Sequence, residues 1–136
     1  MAEPKGFGGW LVVATIECLV TAGVSALTLF ATLSDGSAGA GLVLIEAASI
    51  ALNGLAAALA MGERPLFPQV FIVALALRIM KTAVDLLTPR ADLKVLATDT
   101  TALLTAIAVA LAWMFYLRKS VRVRNTFPSL WPVGPR

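Results

Sequence analysis

The sequence predicts an all-α integral membrane protein, a compact antiparallel up-down bundle of four short transmembrane helices with both termini cytoplasmic. The 136 residues are 59% hydrophobic and only 14% charged, and the mean hydropathy is +0.87. A soluble domain has roughly 45–50% apolar and 25% charged residues. The apolar residues gather into four stretches, each near the ~20 residues that cross a ~30 Å hydrocarbon core as a helix. Positive charge collects on one side of those stretches. The length is about one domain's worth, so a single transmembrane unit is expected over residues 1–127, followed by a proline-rich tail over 128–136.

The first helix is expected over residues 10–33. It follows Lys5 as a signal peptide would, but it is longer than a usual h-region of ~7–15 residues and carries Glu17 in its middle, so cleavage is not expected. A Gly- and Ser-rich loop, Ser34 to Gly41, leads to a second helix over 42–61, and Gly62-Glu63-Arg64-Pro65 leads to a third over 66–87. Thr88 to Lys94 then leads to a fourth over 96–117. Loops this short force consecutive helices antiparallel. The tail from Pro128 to Arg136 cannot continue a helix through its prolines. It reads either as a loose end touching headgroups through Trp131 or as a partner-docking peptide.

Orientation follows from Lys and Arg. Lys5, Arg64, Arg118, Lys119, Arg122, Arg124 and Arg136 fall on one side, Arg90 and Lys94 on the other, which puts both ends in the cytoplasm. Trp10 and the Trp113, Phe115, Tyr116 group then lie at or near the cytoplasmic interface, where aromatic belts form.

Several function classes are excluded by what the chain lacks. It has no histidine, and so no usual metal ligand, haem ligand or physiological general base. Its one cysteine, Cys18, rules out an intrachain disulfide and reads as a small buried hydrophobe. No phosphate loop, metal-ligand cluster or nucleophile elbow occurs, and Glu17 beside Cys18 is no catalytic pair, since adjacent helical residues do not face each other. No catalytic residues, metal or cofactor are expected. The net charge of +3 sits beside one apolar segment instead of forming a soluble basic face, which argues against nucleic acid.

Charges at membrane depth cost ~2.5–3.5 kcal/mol each and should find partners inside the bundle. Arg78, Lys81 and Asp85, with Thr82, share one face of the third helix. At ~1.5 Å rise per residue, Glu17 reaches the depth of Arg78 and Glu46 that of Lys81, so two interhelical ion pairs are expected. Asp99 starts the fourth helix within reach of Lys81 or Arg90. Polar stripes continue the pattern: Thr21, Ser25 and Thr28 on the first helix, Ser49 and Asn53 on the second, Thr98, Thr101 and Thr105 on the fourth. The cluster, Glu17, Glu46, Arg78, Lys81, Asp85 and Asp99, reads either as interhelical glue, as a path for protons, ions or anionic solutes, or as a contact for a larger partner. Small residues also recur, Ala47, Ala51, Gly54 and Ala58 on the second helix and Ala102, Ala106 and Ala110 on the fourth, a spacing that permits close helix approach.

Residues Gly8-Gly9-Trp10-Leu11 open the first helix, and the last exits through Tyr116-Leu117-Arg118-Lys119-Ser120-Val121-Arg122-Val123-Arg124-Asn125-Thr126-Phe127. Together they resemble a family of small bacterial inner-membrane proteins classified only as a domain of unknown function, whose members start G-G-W-L-like and leave through a Y-x-x-x-S-x-R-V-[KR]-x-T-F-like cytoplasmic exit around four helices. Glu63-Arg64-Pro65-Leu66-Phe67-Pro68 also looks like that family's approach to its third helix. The resemblance implies the topology and the bacterial inner membrane and carries no activity. The basic exit, Arg118, Lys119, Ser120, Arg122, Arg124, Asn125 and Thr126, reads either as an anchor to anionic headgroups, at ~1 kcal/mol per cation, or as a docking surface.

Short loops, small size and missing catalytic groups lead to the expectation of a noncatalytic accessory subunit or assembly factor of a larger membrane complex. Its expected partners are the bilayer, with its anionic headgroups, and another membrane protein or a second copy. The alternative is a minimal oligomeric transporter or channel that uses the charged cluster.

Overall fold

The computed structural model describes residues 9–36, 39–87 and 93–127, with the side chains of 93–96 and of residue 122 outside the description. Lys5, Arg90, Arg136 and the tail with Trp131 therefore lie outside the described residues, as do the side chains of Lys94 and Arg122. Helices account for all regular structure among the described residues: α1 Trp10–Ser34, α2 Ala40–Met61, α3 Phe67–Leu87, α4 Leu93–Lys119 and α5 Val121–Thr126. Among the described residues three spans are long and apolar enough to cross a membrane: α1, α2 and Ala97–Lys119 of α4. Arg78, Lys81 and Asp85 interrupt the apolar surface of α3.

The long helices start and stop close to the expected bounds. Helix α2 begins earlier, at Ala40, because Gly39 stays extended at its N-cap and leaves the following alanine and glycine free to turn. At the other end of α2, Arg64 N–H donates to Leu59 O at 2.9 Å. This closure passes through Glu63 at φ 49°, so a glutamate occupies the left-handed position usually taken by glycine. Helix α5 was not expected. Ser120 is extended and its hydroxyl accepts from Val123 N–H at 3.3 Å, which caps a new helix where α4 ends.

Packing runs in chain order, α1 on α2, α2 on α3, α3 on α4 and α4 on α5. Among the described residues no Cα of α1 lies within 8 Å of a Cα of α3 or α4. Long side chains bridge that seam instead.

The apolar core is confined to one half of the helical array. Leu11, Ala14 and Cys18 of α1 meet Ala56, Ala57 and Ala60 of α2, Phe67, Phe71 and Leu75 of α3, and Ala110, Trp113 and Leu117 of α4. Phe67 stacks on Phe71 at 5.4 Å, and Phe71 meets Trp113 edge-on at 5.3 Å. Helix α5 folds back to seal this end, burying Val123 and Phe127, with Phe127 5.6 Å from Phe67. The exit is thus half structural: its apolar residues are core and its cations stay outside.

The close approach of α2 rests on Ala56, Ala57 and Ala60, not on the small-residue row expected from spacing. Ala47, Ala51 and Ala58 are exposed, and a Cβ at Gly54 would meet nothing within 4 Å. On α4, Ala106 and Ala110 are packed and Ala102 is exposed. Spacing defines a helical row but not the direction it faces. Ala57→Leu should therefore overpack the core and lower stability by about 1–2 kcal/mol, whereas Ala51→Leu should be close to neutral. Unfolding in detergent compares them.

Candidate functional site

The other half of the helical array holds the buried polar groups. Glu46 of α2 is fully buried, and Lys81 Nζ of α3 forms an ion pair with its Oε1. No hydrogen-bond donor among the described residues reaches Glu46 Oε2, so this carboxylate depends on one lysine. Glu17 of α1 is better supplied. Its Oε1 accepts from Arg78 Nη1 at 2.9 Å, and its Oε2 accepts a short hydrogen bond from Trp113 Nε1. One carboxylate thereby ties α1 to both α3 and α4, across the seam their backbones leave open.

Hydroxyls complete the interior. Ser25 donates to Ser49 Oγ at 2.9 Å between α1 and α2, and Asn53 Nδ2 donates to Ser49 O at 2.9 Å. Thr82 donates to Arg78 O one turn back, and the exposed Thr101 and Thr105 of α4 bond in the same way, which satisfies all three without water.

Two spaces border this network. A cavity of about 280 Å³ is lined by Thr21, Ser25, Ser49, Arg78, Lys81 and Thr82 together with the apolar Val20, Val24 and Leu77. A groove of about 610 Å³ sets Arg78 and Thr82 against Thr98, Thr101 and Thr105 of α4. The threonine row expected inside the bundle is therefore exposed along an open groove. Arg78 lines both spaces, and its side chain keeps 38% of its exposure.

The geometry brings four of the six cluster residues together, as Glu17 with Arg78 and Glu46 with Lys81. Asp85 is half-buried and forms no ion pair with a described residue. Asp99 is also half-buried and makes an interaction of its own, and Arg90, one of its expected partners, lies outside the described residues. Among the described residues no three Cys, Asp or Glu side chains gather to hold a metal ion.

At the exit, Arg118, Lys119 and Arg124 are exposed, Ser120 is the α5 cap, and Asn125 and Thr126 are half-buried. Sequence reasoning missed two roles. Trp113, expected at the membrane interface, is 7% exposed and serves Glu17, whereas of the aromatics expected at that interface Trp10 and Phe115 are exposed. Val123 and Phe127 anchor α5, and their i, i+4 spacing inside a basic stretch was the available signal. Trp113→Phe keeps the ring contacts and removes the donor to Glu17, which should cost about 1.5 kcal/mol. Unfolding in detergent reads it, and no change would deny the indole that role.

Residues 4–128 match a family described as Protein of unknown function (DUF2569). The chain belongs to that family. The match runs from before α1 to just past α5, so the ion-paired core and the sealing helix both lie within the family unit. No curated protein and no solved structure matches the chain.

Proposed function

We propose that this family member is a noncatalytic accessory or assembly protein of the bacterial inner membrane. It crosses four times, antiparallel, with both ends in the cytoplasm, and it binds another membrane protein along the groove between α3 and α4. The observation that carries this reading is Arg78. An arginine on the central part of a membrane helix, its side chain 38% exposed beside an open groove, calls for protein cover, because hydrocarbon offers its remaining donors no partner. The three threonines facing it across the groove supply polar edges that a partner helix can meet. The ion pairs act as fixed struts, with Glu17 engaged through both oxygens. The basic exit supports the same partner or the headgroups around it.

Purification in a mild detergent is expected to recover a larger membrane complex in fixed stoichiometry, with a photo-crosslinker at Thr101 attaching to the partner. A second reading, a minimal oligomeric transporter, is favoured by one feature: Arg78 and Thr82 line both the cavity and the groove, which places polar groups on two sides of α3. A self-contained oligomer that conducts or transports in liposomes would establish it and remove the first.

A further inference from the structure

Farther along α4 lies a second space of different chemistry. Thr98, Thr105, Ala112 and Lys119 recur every seventh residue and so share one helix face. The half of that face nearest the exit borders a groove of about 670 Å³ walled by Trp10, Val109, Ala112, Trp113 and Tyr116, with Lys119 and Ser120 at its mouth. It exists because α1 and α4 stay apart: Trp10 spans the gap to Trp113 and Tyr116 at ring distances of 6.3 Å. From Val109 to Lys119 it extends for roughly 15 Å of helix.

We infer that this groove seats one acyl chain of an anionic glycerophospholipid from the surrounding bilayer, with the lipid phosphate on Lys119. Charge decides the occupant. Lys119 is exposed beside the equally exposed Arg118, so the mouth is cationic and attracts an anionic headgroup. The wall below is apolar and aromatic, a surface for methylene groups. Glu17, the acid at the far end, is answered by Arg78 and by the Trp113 indole, and so does not repel the chain. Tyr116 and Trp10 sit where amphipathic rings meet headgroups.

The test uses the full-length chain carrying Trp131→Phe, so that emission comes from Trp10 and Trp113 at the groove. Vesicles contain brominated phosphatidylglycerol or brominated phosphatidylcholine at matched mole fraction, and bromine quenches tryptophan on contact. The anionic lipid should half-quench at about fivefold lower mole fraction, the ratio that one near-surface cation supplies. Lys119→Gln should abolish that preference. Ala112→Phe, a change at an exposed position that fills the groove, should abolish it with Lys119 intact. Equal quenching by the two lipids in the parent would overturn the inference and leave the groove to a protein partner. A preference that survives Ala112→Phe would overturn it too, by showing attraction to surface charge alone. Neither result bears on Arg78 or on a partner in the polar groove, so this inference and the proposed function fail separately.

Discussion

Glu46→Leu is expected to destabilise the protein by about 3–5 kcal/mol, the cost of leaving one member of a buried ion pair without its partner. Glu46 is fully buried and Lys81 is its partner. Leucine fills the space but strands an ammonium among Ser49, Thr82 and the neighbouring apolar side chains. The Lys81 side chain is already 28% exposed, and its stem can carry the head partway toward water, which puts the loss at the lower end of the range. Unfolding in mixed detergent micelles measures the effect. The double variant Glu46→Leu with Lys81→Met should recover most of the stability, because replacing both charges removes the desolvation cost along with the attraction. A double variant as unstable as the single would mean that Glu46 supports the fold through shape and not through charge.

Arg78→Leu should cost about 2–3 kcal/mol, less than the Glu46 change because the guanidinium is partly exposed and its pair correspondingly screened. The loss falls on Glu17, which keeps only the Trp113 indole. Adding Glu17→Gln should restore folding, since the glutamine carbonyl still accepts from Trp113 and no charge remains unanswered. Equal loss in the single and double variants would remove the pairing from consideration. The recovered double variant also tests the proposed partner: folded but lacking the Arg78 guanidinium, it should purify without the larger complex.

Much of this site is legible in the chain because membrane helices impose a strong geometric rule. At a fixed rise per residue, position along a helix is depth, and charges at equal depth on neighbouring helices must meet or pay for their burial. That rule leads to Glu17 with Arg78 and Glu46 with Lys81, the pairs the geometry brings together. Depth says nothing about rotation, however. The Ala47, Ala51, Gly54 and Ala58 row faces away from the core and the α4 threonines face an open groove, because a helical stripe is defined by spacing while its facing is set by the neighbours. Trp113 shows the same limit from another side. Tryptophan near a helix exit reads as an interface anchor, and only a carboxylate on another helix turned it inward.

The sequence by itself determined the lipid-compatible composition, the apolar stretches, the absence of histidine chemistry and the positions along the helices at which opposite charges lie. These are properties of single helices, set by local spacing and by the solvent that surrounds them. The tertiary structure alone decided that α1 and α4 stand apart, that Glu17 bridges the gap through Arg78 and Trp113, and that α5 folds back to bury Val123 and Phe127. Those outcomes depend on how helices rotate and space themselves against one another, which is settled by side-chain volumes at several contacts at once and is not carried by any one segment.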